Sequence, residues 1–131
     1  MPTARGEFEI ASWNEEPYWE SDDGRKLTRA RVGQAFTGDV TGHGEIEWLM
    51  SYRDDGTARF VGLGRVDGTL AGRDGSFVVE SIGDFDGTRA AGTWSVLAGS
   101  TAGDLTGLRG DGRFEAPLGS KASVTLDYRF E

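Results

Sequence analysis

The sequence predicts an all-β protein: one domain over residues 1–131, folded as a single closed antiparallel up-and-down β-barrel of about eight strands. Three observations lead there. Segments such as Ala122-Ser123-Val124-Thr125-Leu126-Asp127-Tyr128-Arg129-Phe130 alternate apolar and polar residues with the period of a half-buried strand. Between Glu45 and Val96, four Asp-Gly pairs (Asp55-Gly56, Asp67-Gly68, Asp74-Gly75 and Asp86-Gly87) punctuate similar segments. Asp-Gly suits a two-residue type I′ turn, which needs positive φ at both central positions. No segment keeps a helical period for more than about a turn. Closing the sheet removes its unpaired edges, which favours a barrel over a two-sheet sandwich, and pairing the first strand with the last would close it.

Taken in order, Gly6 to Trp13 sets Phe8, Ile10 and Ser12 against Glu7, Glu9 and Ala11 and reads as the first strand. Asn14 to Gly24, with Pro17, clustered acids and a closing Asp23-Gly24, reads as a long loop carrying Tyr18 and Trp19, a possible lid. Leu27 to Phe36 is the second strand, with Thr28, Ala30, Val32 and Phe36 on one side and Arg29 and Arg31 on the other; Gly38, Gly42 and Gly44 then suggest a turn or bulge. Counting two residues per Asp-Gly turn pairs Met50 with Val61, Trp48 with Leu63, Leu70 with Val79 and Val79 with Trp94. One face then collects Ile46, Trp48, Met50, Val61, Leu63, Leu70, Phe77, Val79, Trp94 and Val96. The other is mixed and includes Glu47, Leu49, Phe60, Val78, Glu80 and Ile82. A further strand runs through Leu105 and Leu108, with a turn at Asp111-Gly112 and a return through Phe114, before the last strand, Ala122–Phe130.

Composition narrows the function classes. With 14 Lys and Arg against 22 Asp and Glu, the net charge of −8 disfavours nucleic acid and anionic membranes as partners. The absence of Cys removes thiolate catalysis, disulfides and cysteine metal sites and fits a reducing cytosol. No leader-like or membrane-spanning apolar run is present, so the chain reads as soluble and cytoplasmic. His43, the only histidine, lacks metal-site spacing and reads as a surface turn residue. No G-x-S-x-G elbow surrounds Ser100, Asp84-Phe85-Asp86-Gly87 lacks the twelfth-position Glu of a calcium loop, and Gly62-Leu63-Gly64 lacks the third Gly of a dinucleotide fingerprint. No metal or cofactor is expected.

Phe36-Thr37-Gly38-Asp39-Val40-Thr41-Gly42, Phe60-Val61-Gly62-Leu63-Gly64-Arg65-Val66, Gly72-Arg73-Asp74-Gly75-Ser76-Phe77-Val78-Val79 and the Gly99–Gly110 stretch resemble the DUF3224 family. These are bacterial proteins of unknown function with an allene oxide cyclase-like barrel. The resemblance covers nearly the whole chain. It departs at Thr101-Ala102, and at Glu80-Ser81 where the family pattern has Gln-His. It implies a closed barrel of allene oxide cyclase or lipocalin type, a homo-oligomer, and relatives that cyclise or bind small apolar molecules; it supplies no reaction.

The residues leave three readings. In the first, Trp48, Met50, Leu63, Phe77, Val79 and Trp94 line an interior that binds a small hydrophobic or polyketide-like molecule near Tyr52 or Arg65, which sit at the ends of the apolar face. In the second, a metal-free isomerase or cyclase uses Glu47 or Glu80 as acid or base, provided the mixed face points inward and burial raises a carboxyl pKa. In the third, the barrel is structural, with a filled core and with Leu49, Phe60, Val78 and Ile82 as a subunit interface.

Overall fold

A computed structural model describes residues 2–131. Nine strands follow in order: β1 (Thr3–Glu20), β2 (Lys26–Gly38), β3 (Val40–Tyr52), β4 (Ala58–Leu70), β5 (Arg73–Phe85), β6 (Arg89–Val96), β7 (Ala102–Gly103), β8 (Leu108–Pro117) and β9 (Ala122–Phe130). Eight of them close an antiparallel barrel in the order β1-β2-β3-β4-β5-β6-β8-β9, with β9 returning to β1 through Thr3–Phe8 against Ala122–Asp127. The two-residue β7 attaches to the margin of β5 at Gly75 and Ser76. Among the described residues no helix is long and apolar enough to cross a membrane.

Turn chemistry decides which side chains enter the barrel, and two of the four Asp-Gly pairs do turn the chain. The Arg53–Thr57 loop carries Gly56 at φ 86°, while Asp55 Oδ1 accepts a hydrogen bond from Thr57 N at 3.0 Å. This loop is longer than a two-residue turn, so the register moves by one residue and Met50 pairs with Phe60 instead of Val61. A one-residue slip exchanges faces. Phe60 therefore lies inside at 4% exposure, and Val61 and Leu63, expected inside, lie outside at 43% and 57%. The Asp86–Arg89 loop shifts its hairpin by two, which preserves the faces: Val79 pairs with Val96, and Phe77, Val79, Trp94 and Val96 are all buried.

Asp67-Gly68 and Asp74-Gly75 do not turn the chain. They lie within β4 and β5, and the two-residue turn between these strands is Ala71-Gly72, at φ 54° and 76°. Gly42, Gly68, Gly75 and Gly103 form one row across β3, β4, β5 and β7. A side chain at Gly68 would collide with the Thr41 carbonyl, so this glycine serves close backbone approach instead of a turn. Asp111-Gly112 likewise lies within β8, and the turn after β8 is made by Leu118–Lys121. His43 sits on the exposed side of β3 opposite Asp67, not in a turn. The expected loop at Asn14–Gly24 is strand as far as Glu20 and turns only at Ser21–Arg25.

The two halves of the interior differ. At one end Leu70, Phe77, Leu105, Leu108 and Leu126 are completely enclosed, and the chain between β6 and β8 folds over that opening with Leu105 as its plug. Leu105 thus seals the barrel from a turn, not from a strand. Nearer the other end, aromatic rings lie over glycines of neighbouring strands. A Cβ at Gly62 would come within 2.6 Å of the Trp48 ring, one at Gly83 within 2.7 Å of Phe60, and one at Gly44 within 2.9 Å of Phe36. Trp48 and Phe60 meet edge to face at 4.8 Å between ring centroids.

The register has a direct consequence for stability. Phe60→Ala is expected to cost about 3–5 kcal/mol as a core truncation, and Leu63→Ala less than about 0.5 kcal/mol as a surface change. Urea unfolding of both variants measures this, and the opposite ranking would place Leu63, not Phe60, in the core.

Candidate functional site

The end of the barrel away from the Leu105 plug opens into an apolar cavity of about 410 Å³. Its shape begins with a bulge in β1. Before the bulge Ala4, Phe8 and Ile10 share the inward parity; between Ile10 and Ser12 the register with β2 shifts, and Ser12 Oγ accepts a hydrogen bond from Gly33 N at 3.1 Å. The shift brings Trp13 round to the cavity wall, so Ile10 and Trp13 both line it. Beyond Phe8, β1 pairs only with β2, because the ladder to β9 stops at Phe8–Ala122. A seam is left there, with Ile10 and Trp13 on one side and Leu118, Gly119 and Ser120 of the β8–β9 turn on the other. Phe8, Trp48, Met50, Phe60 and Phe114 form the deeper wall. Below lies a void of about 20 Å³ bordered by Phe36, Ile46, Val79, Ser81 and Trp94.

One carboxylate is fixed at the rim. Glu15 Oε2 accepts hydrogen bonds from Thr28 Oγ1 at 2.7 Å and Tyr52 OH at 2.8 Å, and Oε1 accepts one from Trp13 Nε1 at 3.0 Å. Partial burial alone would raise the Glu15 pKa, but these three donors, helped by the charge of Lys26, outweigh it and hold the carboxyl below its ordinary value of 4.5. The same contact works the other way on the phenol: burial first, then the hydrogen bond to Glu15 and its charge, push the Tyr52 pKa well up. Glu15 stays ionised and Tyr52 neutral. Lys26 Nζ lies 4.8 Å from the centroid of the Tyr52 ring.

The residues singled out from the sequence divide into three groups. Trp48, Met50 and Tyr52 line the cavity, and Trp48, Val79 and Trp94 border the void beneath it. Phe77 packs in the sealed half. Leu63 and Arg65 face outward because of the one-residue shift after Arg53–Thr57, and Arg65 pairs with Asp67 at 2.7 Å. Glu47 and Glu80 are on the outer surface as well, Glu47 lying 4.0 Å from Arg29. On β3 and β5 the mixed face that carries these two acids is thus the outside of the barrel, whereas Phe60 of β4, expected on the same face, points inward. Trp13, Glu15, Gln34 and Phe114 belong to the site without having been singled out, and Phe60, expected in a subunit interface, lines the cavity instead. Gln34 alone left a signal, as a polar residue at the inward parity of β2 between Val32 and Phe36.

The model of the family described as "Protein of unknown function (DUF3224)" matches residues 4–128. The chain belongs to the DUF3224 family. A crystal structure of a DUF3224-family protein of unknown function from Shewanella oneidensis MR-1 is similar over 100% of this chain and 98% of that one, with a TM-score of 0.80 and 27% identity. No curated protein matches the chain. The DUF3224 assignment thus carries a barrel and no reaction.

In this DUF3224 barrel the Glu15 network stabilises the fold above the ordinary carboxyl pKa of 4.5, and that contribution is lost as pH falls through the lowered folded value. Asp23, held at about 2 chiefly by the Ser21 hydroxyl and Arg25, and Asp86, held at about 2 by Thr88 and Arg89 backbone N–H groups, lose theirs only at lower pH. Glu15→Gln is expected to be less stable at neutral pH and to lose less stability than wild type as the solution is acidified below 4.5. Urea midpoints across that range measure it, and parallel curves would show that Glu15 carries no such linkage.

Proposed function

We propose that this protein binds a small hydrophobic, polyketide-like molecule in the cup at the open end of its barrel. The observation that carries the reading is the contrast within one interior: half is packed to completeness, while the other half keeps an apolar space of about 410 Å³ that reaches the surface along the β1 seam. That volume lies within the range of about 300–1,000 Å³ usual for small-molecule sites. An interior that served stability alone would gain by filling it, since empty apolar space forfeits dispersion contacts. Any cyclase or isomerase activity here would act by folding the ligand into a reactive shape. Glu47 and Glu80 lie outside the cup, and the oxygens of Glu15 are already engaged by three donors.

The neutral dye phenylnaphthylamine tests the reading. Its fluorescence should rise saturably on addition of protein, with one dye bound per chain. Ala116→Trp, which places a large ring on the cavity wall, should abolish the rise while retaining the cooperative unfolding of the wild type, and Leu63→Ala on the outer surface should leave it unchanged. An undiminished response in Ala116→Trp would remove the cup as the site.

A second reading, association of two copies, rests on the outer surface. Leu49 pairs with Val61 and Val61 with Ile82, and Leu63 adjoins this row, so four exposed apolar side chains form one patch on β3, β4 and β5. Arg29–Glu47 and Arg59–Asp84 pairs flank it with both signs of charge, which a second copy related by a two-fold axis can meet with opposite sign. Wild type should therefore sediment as a dimer and Val61→Asp as a monomer. A wild type that is monomeric at every concentration removes this reading.

A further inference from the structure

Gln34 is 8% exposed and points into an interior built mainly from apolar groups, with the buried Ser81 beside the void beneath. It pairs with Gly44 on β3, and its amide lies over that glycine: a Cβ at Gly44 would come within 3.0 Å of Oε1. The cavity and the void beneath it share Phe8, Gln34, Trp48 and Phe114 as lining residues, so the amide stands at the floor of the cup, where the wider space narrows into the smaller one. Among the described residues no group hydrogen-bonds this amide, and no buried side-chain nitrogen or oxygen is both unpartnered and cut off from open space. The amide is therefore open to the cavity. Trp48 lines the same two spaces. Whereas Trp94 Nε1 donates to the Thr125 carbonyl at 2.8 Å, Trp48, 8% exposed, has no partner for its N–H within the chain.

Gln34 and Trp48, which line both spaces, thus each carry a neutral donor without a partner in the chain, and a donor covered by a ligand that offers no acceptor is costly to maintain. The cavity lining contains no Lys, Arg or His. The nearest cation described, Lys26, is at the rim, stacked on Tyr52 and facing ionised Glu15. A carboxylate driven to the floor would lose its hydration with no counter-charge in reach, in a protein that already carries a net charge of −8. The void beneath, about 20 Å³, has room for one oxygen-sized group and no more.

Resting on the proposal that the cup binds a ligand, we infer that Gln34 and Trp48 select it: the cup takes a neutral, largely apolar carbonyl compound, such as a ketone, ester or lactone, that enters carbonyl first, and it refuses carboxylates. Gln34 is the specificity-determining residue. The same volume of hydrocarbon binds less tightly because it leaves both donors unpaired.

Calorimetric titration with benzophenone, diphenylmethane and diphenylacetate tests this. Wild type should bind benzophenone about five- to tenfold more tightly than diphenylmethane, the ratio expected of one net hydrogen bond, and diphenylacetate not measurably. Gln34→Leu should bring the two neutral compounds to within about twofold by strengthening the hydrocarbon and weakening the ketone. Gln34→Met, which keeps the length of the side chain and loses the donor, should remove the ketone's advantage while unfolding as cooperatively as wild type. If phenylnaphthylamine binds but benzophenone shows no advantage, or if the advantage survives Gln34→Leu, the selection inference falls and the cup stands as a binding site. Tight binding of diphenylacetate overturns the inference in the same way. If neither the dye nor any of the three compounds binds, the cup itself is refuted and the inference with it.

Discussion

Three of the large rings in this narrow barrel enter where the neighbouring strand has no side chain to offer. About eight strands enclose a space that ordinary side chains fill, yet Trp48, Phe60 and Phe36 all point inward. Each lies on a glycine: Trp48 on Gly62, Phe60 on Gly83 and Phe36 on Gly44. The rings are thereby held flat against the wall instead of reaching across to the far side. Around Leu70, Leu108, Leu126 and Phe77 the interior closes. The open half is the one lined by the Trp48 and Phe60 rings, each seated on a glycine of the next strand.

The architecture was legible because strand period survives any error in pairing. Alternation located the strands from Leu27 onward, and the eight buried residues Ile46, Trp48, Met50, Leu70, Phe77, Val79, Trp94 and Val96 share one face as expected. The pairing was less legible, for a physical reason. Asp-Gly reports a glycine and a capping carboxylate, and both also suit longer turns and close strand approach. Two of the pairs sit in loops of more than two residues, and two lie inside strands, where Gly68 and Gly75 belong to a row of backbone contacts. A neighbouring pair with no Asp at all, Ala71-Gly72, makes the tight turn.

The site was legible only where it coincides with the core. Trp48, Met50 and Tyr52 were visible because they continue the apolar face of β3 to its end. Trp13 and Glu15 were not, because the bulge at Ser12 reverses the parity of β1 and makes a continuous strand look like the start of a loop. Pro17 and the acids around it strengthened that impression. Glu15 shows the limit most clearly. In sequence it is one acid among several, and only Thr28, Tyr52 and Trp13, drawn together from β2, β3 and β1, distinguish it from its neighbours.

The unpartnered half of β1 carries one more consequence. Because no ladder hydrogen bonds join Ile10–Glu20 to β9, a ligand of the proposed kind would break none on entering there, and the barrel would not have to unzip. An open strand margin ordinarily invites another chain to add to it, but Pro17 removes one donor, the register shifts distort the margin, and Glu9, Glu15, Glu16 and Glu20 place charge along it. The molecule thus keeps one flank of the barrel unladdered yet too irregular for fibril growth.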